Sequence, residues 1–319
     1  LKSSKMERIQ RLEWSFHIPK SWENYRYEEI MRSIEIQIVP RTSDIGNLEV
    51  KRALPSRERR SVGSFVFWDQ FGPGELLENE GIDVRPHPHI GLSTISYLFD
   101  GSMQHRDSLG NDVVIGPGAV NLMTAGSGIV HSERSDEASR QGVAKLFGIQ
   151  SWLALPMSLE ETSPGFMHYG QPTLPAFTDQ GVEGRVLLGT WHALCSPVSF
   201  PADSLYVDLQ MKPASHVYFP RDYHERAVFS VSGAIEVDGI LYPESELLVL
   251  KPDRDVLIRA PEGARVLLFG GEPLDAPRYL WWNFVSSDKD RIEQAKSDWV
   301  QGNFDRVTGD DEFIPLPDK

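Results

Sequence analysis

From Ile45 onward the chain is a series of short apolar runs punctuated by glycine and proline, and the runs alternate with period two rather than 3.6. SIEIQIVP, beginning at Ser33 just beyond Met31, alternates in the same way and predicts a first strand. SVGSFVFWDQFGPGEL puts Phe65 and Phe67 on one face and ends in a Gly-Pro-Gly turn, with Trp68 and Phe71 placed to line a pocket mouth. TISYLFDGSMQHRD predicts two strands around a turn at Asp100 and Gly101. VVIGPGAVNLMTAG predicts a third with its own Gly-Pro-Gly corner, and GIVHSE follows. Between Trp152 and Gly184, proline, glycine and serine are richer, as in a segment crossing between domains. Strand patterns then resume in GRVLLGTWHA, SLYVDLQM, HVYFP, RAVFSVSGAIEVDG, ELLVLKP, DVLIRA and ARVLLFGG, which describe a second antiparallel sandwich or barrel. The last element has helical period. Ser287 is its expected N-cap with Asp290 three residues on, Ile292, Ala295 and Trp299 mark its apolar stripe, and Gly302 ends it.

The two halves resemble each other. Aligning Gly101 of YLFDGSM with Gly233 of SVSGAIE sets Phe219 and Arg221 opposite His87 and His89, and Ile258 and Ala260 opposite His131 and Glu133. The expected organisation is therefore an extension and first strand over 1–44, a first barrel over 45–165, and a second barrel with the terminal helix over 166–319. Residues 1–30 are polar and charged with scattered Trp14, Phe16, Trp22 and Tyr25. They read as an appendage that a docked helix would fit, with Met31 an alternative start.

With 319 residues the chain can bury a full core, and 26 Gly with 22 Pro agree with a turn-rich β protein. The 32 basic and 46 acidic residues give a net charge of −14, which argues against direct binding to nucleic acid or to an anionic membrane. A single cysteine, Cys195, can form no internal disulfide and reads as a buried small hydrophobe, because ALCSPV offers no base. No run approaches about 18 apolar residues, so a cytoplasmic protein is expected.

The candidate chemistry is concentrated between Val84 and Glu137. His87 with His89, and His131 with Glu133, each have i, i+2 spacing, which on a strand sends both side chains to one face about 6.5–7 Å apart at the α-carbons. Two imidazoles at that separation can converge on one ion. The spacing thus proposes a three-histidine, one-glutamate metal site, assembled when two strands 42 positions apart are brought together. His17, His192, His216 and His224 read as surface or satisfied core residues, His105 as a hydrogen-bonding residue near a turn, and His168 as a residue of the crossing segment.

PHPHIGLSTISYLFDG, HRDSLGN, GPG, MTAGSGIVHSE, RYLWWNFVSS and IEQAKSDWVQGNF, in this order, resemble the pirin family of bicupins over roughly residues 45–310. The resemblance implies two antiparallel cupin barrels packed together, with one metal in the first, held by His87, His89, His131 and Glu133. It favours Fe(II), and Zn, Ni, Mn or Cu suit the same ligands. Some pirins resemble quercetinases. For this chain that implies a flavonol binding through its 3-hydroxyl, Glu133 accepting the proton as both ligand and base, and O2 opening the heterocycle with release of carbon monoxide. The alternative implied is a metal-dependent regulatory protein acting through a protein partner. The chain departs from the family pattern at Ile90 and Ser93, where an Arg and a Glu are usual, and at Asn121 and Leu122, where Gln-Trp is usual; the first two are expected to alter the surroundings of the metal.

Overall fold

The computed structural model describes residues 32–44, 49–75, 81–140 and 145–317; the helix expected within 1–30, and His17, lie outside them. β-Branched and aromatic residues alternate with polar ones through most of the described chain, and the strands they form are built twice to one plan. The first half has a seven-stranded sheet in the order Gly165–Tyr169, Val120–Thr124, Leu92–Gly101, Lys145–Ala154, Phe65–Glu75, Glu49–Leu54, Arg41–Asp44. Opposite it stands a four-stranded sheet, Asp83–His89, Ile129–Arg134, Met103–Asp107, Asp112–Ile115. The second half repeats both. Its seven strands run Ile34–Ile38, Leu247–Leu250, Glu225–Ser232, Ala264–Gly271, Ser204–Met211, Val182–Leu188, Ala176–Asp179, and its four run Ser215–Phe219, Val256–Ala260, Ile235–Val237, Ile240–Tyr242. The fold is all-β, a pair of antiparallel cupin-type sheet sandwiches with a C-terminal helix.

The duplication includes an edge strand contributed from a distance. Ile34–Ile38 pairs with Leu247–Leu250 in the second-half sheet, and Gly165–Tyr169 takes the equivalent place in the first by pairing with Val120–Thr124. The segment crossing between the halves therefore begins as a strand of the first. Between the two large sheets lies a shared core. Trp68 stacks on Phe269 at 4.0 Å, and the Tyr97 hydroxyl donates to Asp208 at 2.7 Å, with Arg265 on the same carboxylate.

Several sequence expectations are corrected by strand pairing. Trp68 is fully buried between the halves and does not line a pocket mouth; Phe65 joins it there, whereas Phe67 faces the other way and stacks on Trp152. A register shift between Trp152 and Leu153, opposite Phe67 and Phe65, separates the two phenylalanines. The strand does not stop at Gly72-Pro73-Gly74, because pairing resumes at Gly74 with Leu146 beyond a second shift. The strands on either side of Asp100 and Gly101 belong to different sheets, as do those flanking Gly116-Pro117-Gly118, so each turn carries the chain across the sandwich. At the helix Lys289–Gln301 the N-cap is Asp288, whose carboxylate accepts from the Asp290 N–H, because Ser287 is committed to Glu160. Gly302 ends the helix in the left-handed conformation as expected. Cys195 is exposed rather than buried. Among the described residues no helix is long and apolar enough to cross a membrane.

Candidate metal centre

His87 and His89 lie on Asp83–His89, and His131 and Glu133 on Ile129–Arg134. The two strands pair antiparallel with His87 opposite His131 and His89 opposite Ile129. That register sets all three imidazoles on one face, with ring centroids 4.4–5.0 Å apart. Donor atoms of His87, His89 and His131 lie within 4.8 Å of one another, and so do those of His105, His131 and Glu133.

Hydrogen bonds on the far side of each ring assign its tautomer. The His87 Nδ1–H donates to the Arg85 carbonyl at 2.8 Å and the His89 Nδ1–H to the Asn283 carbonyl at 3.2 Å. Gly91 allows the second contact. Its φ is +68°, and a Cβ there would stand 1.9 Å from the Val285 carbonyl, so only glycine lets the segment around Asn283 pack so closely. Behind His131 is a relay. Asp107 is anchored by the Leu109 and Asn111 N–H groups and accepts from His105 Nε2 at 3.1 Å, which leaves His105 Nδ1 to accept from His131 Nδ1 at 3.3 Å. Phe166 of the added edge strand stacks on His105 at 4.3 Å and holds the ring in that plane. All three ligand candidates are thus left with a lone pair on Nε2.

This donor set fits a divalent cation. The His89 and His131 Nε2 atoms face each other at 3.1 Å with no proton assigned between them. Two nitrogens bound at right angles, each about 2.1 Å from one ion, are about 3.0 Å apart. Burial holds the His87 imidazole neutral, pushing its pKa down to about 4 despite the Arg85 carbonyl, and likewise holds His89 and His131 well below the ordinary histidine value. Neutral imidazole is the metal-binding form. Burial raises the Glu133 carboxyl, against the opposing effects of His105, Gln150 and Ser96. Gln150 donates to Glu133 at 3.2 Å while its own carbonyl oxygen accepts from Ser96 at 2.7 Å, which fixes the direction of the amide.

The depressed histidine pKa values have a testable consequence. Between about pH 6.5 and pH 4 the unfolded chain binds a proton at His87 that the folded chain does not, so stability falls as pH drops through that window and is unaffected by this group above it. The contribution is on the order of 3 kcal/mol. Urea unfolding of the metal-free chain at pH 7.5 and 4.5 should show a smaller difference in His87→Gln by about that amount. An unchanged difference would contradict the assignment.

A cavity of about 470 Å³ opens beside these groups, lined by His87, His89 and Glu133 and by the stacked pair Phe67 and Trp152, 3.8 Å apart. Phe71 lines it as expected, and Phe67 takes the place that sequence reading assigned to Trp68. Ile90 and Ser93 do not face this space. Ile90 packs with Phe284, Ile292 and Ala295 against the terminal helix, and Ser93 bonds Thr124. Neither Ile90 nor Ser93 therefore contributes to the lining of the cavity. Asn121 bonds His168, which is exposed and outside the cavity. His105 makes hydrogen bonds as expected of it, whereas Asp107, Gln150 and Ser96 carry no local signal, because only cross-strand register brings them to the site.

In the second half the same two strand positions carry no ligand. Pairing of Val217 with Ile258 and of Phe219 with Val256 matches His87 with His131 and His89 with Ile129. The expected equivalence of Ile258 and Ala260 holds, but His87 and His89 correspond to Val217 and Phe219, not to Phe219 and Arg221. These side chains pack into a continuous apolar core.

Two family models match the chain, one described as Pirin over residues 47–153 and one as Pirin C-terminal cupin domain over residues 206–305. A pirin-like protein of Caulobacter vibrioides is 44% identical over 289 residues, covering 89% of this chain and 100% of the relative. A Pseudomonas aeruginosa protein whose name proposes quercetin 2,3-dioxygenase activity is 39% identical over 281 residues, 87% of this chain and 86% of the relative. Among solved structures, a quercetin 2,3-dioxygenase of Acinetobacter baumannii is similar with a TM-score of 0.81 at 35% identity, covering 89% of this chain and 96% of that one. The Escherichia coli pirin YhhW, in complex with nickel(II), shares the fold at 18% identity, with a TM-score of 0.61 over 75% of this chain and 99% of that one.

Proposed function

Because this chain belongs to the pirin family, we propose that it is a metal-dependent dioxygenase of quercetinase type, using Fe(II) held by His87, His89, His131 and Glu133 to cleave a flavonol. The observation that carries this reading is the convergence of three neutral imidazoles, each with its outer nitrogen engaged, beside a carboxylate and an aromatic-walled cavity. A divalent ion held by these four residues would make ionisation of a bound hydroxyl easier and would supply the site for O2 chemistry.

The protein's own groups do the rest. Glu133, pushed toward the protonated form by burial, is a competent acceptor for the proton that a flavonol 3-hydroxyl gives up. Gln150 keeps its amide on the Glu133 carboxylate and so fixes where that proton is received. Phe67 and Trp152, stacked on each other, line the cavity with apolar ring surface against which a planar ring system can pack, and a cavity of about 470 Å³ is within the range that takes a drug-sized ligand.

Oxygen-electrode measurements test this. Iron-loaded protein given quercetin under air should consume O2 in step with loss of flavonol absorbance, and Glu133→Gln should slow that by about 100-fold or more. Absence of uptake by a fully iron-loaded, folded sample would rule the activity out and leave the regulatory reading.

A further inference from the structure

A row of directly paired residues crosses the large first-half sheet at the cavity. Arg52 is opposite Asp69, Asp69 opposite Gln150, Gln150 opposite Ser96, and Ser96 opposite Asn121. Residues paired in this way share one face of a sheet, here the face turned to the metal-candidate strands, since Gln150 reaches Glu133. The duplicate half has the same row at the same strand positions: Val186 opposite Val207, then Leu268, Val228 and Leu248. All five are buried and apolar, so this position of the fold is filled most simply by a hydrophobic core. Polar groups at the same place in the first half are not required by the architecture.

Ser96 and Gln150 are accounted for by Glu133. Arg52 and Asp69 are not. Asp69 is 2% exposed and binds Arg52 through both oxygens, at 2.8 and 2.6 Å to Nε and Nη2. The guanidinium lies 4.4 Å over the Phe67 ring, and both residues line the cavity. Among the described residues Arg52 Nη1 has no protein acceptor, so a held, oriented donor remains available to the cavity. Arg52 stands two strands from Gln150, about 10 Å at ordinary strand spacing. That is the scale of a few linked aromatic rings, and the Phe67–Trp152 wall lies alongside.

We propose that Arg52, set in place by Asp69, is a specificity-determining residue that binds a hydroxyl or phenolate oxygen at the end of the substrate remote from the metal. The inference rests on the flavonol reading above and narrows it to elongated planar phenols carrying oxygen at both ends. A short substrate would not reach Arg52, and an outer ring without oxygen would leave its donor unpaired.

Binding to the iron-loaded protein under argon, followed by quenching of tryptophan fluorescence, tests this without turnover. The probes are quercetin and 3-hydroxyflavone, a flavonol that lacks every ring hydroxyl except the one at position 3. Because Arg52→Met alone would strand a buried carboxylate, the double variant Arg52→Met/Asp69→Asn is compared with wild type, with thermal melting to establish that it is folded. Quercetin affinity should fall about tenfold or more in the variant while 3-hydroxyflavone affinity stays the same. Equal losses for both probes, or none for either, would overturn the anchor while leaving the flavonol reading intact. Failure of the wild-type protein to bind either flavonol would sink that reading and the anchor with it.

Discussion

His131→Ala is expected to lower affinity for a divalent metal by well over the roughly 100-fold that loss of a mere supporting hydrogen bond costs. His131 is the residue common to both groups of converging donors, and it stands at the end of the Asp107–His105 relay. Removing it takes away one lone pair directly and leaves His105 without its donor. The chain should still fold, because the apolar clusters and the inter-half core do not use this imidazole. Equilibrium dialysis against Zn or Ni at pH 7.5, with circular dichroism on the same samples, measures both. Retained affinity in a folded variant would place the metal elsewhere. His105→Ala should have the smaller effect, because that ring orients His131 and is not itself one of the four proposed ligands.

The other large effect is on stability alone. Arg226 is fully buried in the second half, and its guanidinium donates to the carbonyls of Phe219, Pro220, Lys251 and Arg254 at 2.7–3.1 Å. It ties together two loops next to the strands that correspond to the metal-candidate strands of the first half. Arg226→Met keeps much of the volume but removes these charged donors and leaves buried carbonyls unpaired. A loss of about 3–5 kcal/mol is expected. Urea unfolding should reveal it, and metal affinity of the folded fraction should be unchanged. A loss below about 1 kcal/mol would mean that water replaces the guanidinium without penalty.

What could be seen in the residues alone was whatever depends on spacing within one strand. His87 with His89, and His131 with Glu133, are legible because period two is a local property. The duplication was legible as well, since Gly101 and Gly233 mark equivalent turns. What was not legible depends on which strand lies beside which. His105 joins the site because Met103–Asp107 pairs with Ile129–Arg134, and Arg52, Asp69, Gln150 and Ser96 form a row only in the observed register. The two-residue error in matching His87 and His89 to the second half arises because the connection from Phe219 to Glu225 is longer than the one from His89 to Leu92. The placements of Trp68 and Phe65 turned on a bulge, which no alternation pattern announces.

Ile90 and Ser93 show the converse. They stand out as departures in a comparison of motifs, yet Ile90 serves the packing of the terminal helix and Ser93 a hydrogen bond within the sheet. Their positions follow from alternation together with the turn at Gly91, whose positive φ redirects the chain immediately after His89. A residue close in sequence to a ligand need not be close to the metal.

The most direct test of the central claim is X-ray absorption at the metal edge of the iron-loaded protein. Outer-shell scattering from three imidazoles and an inner shell that includes a carboxylate oxygen are expected, with a coordination number above four that changes when quercetin is added. A closed four-coordinate shell insensitive to quercetin, or a spectrum without imidazole scattering, would contradict it.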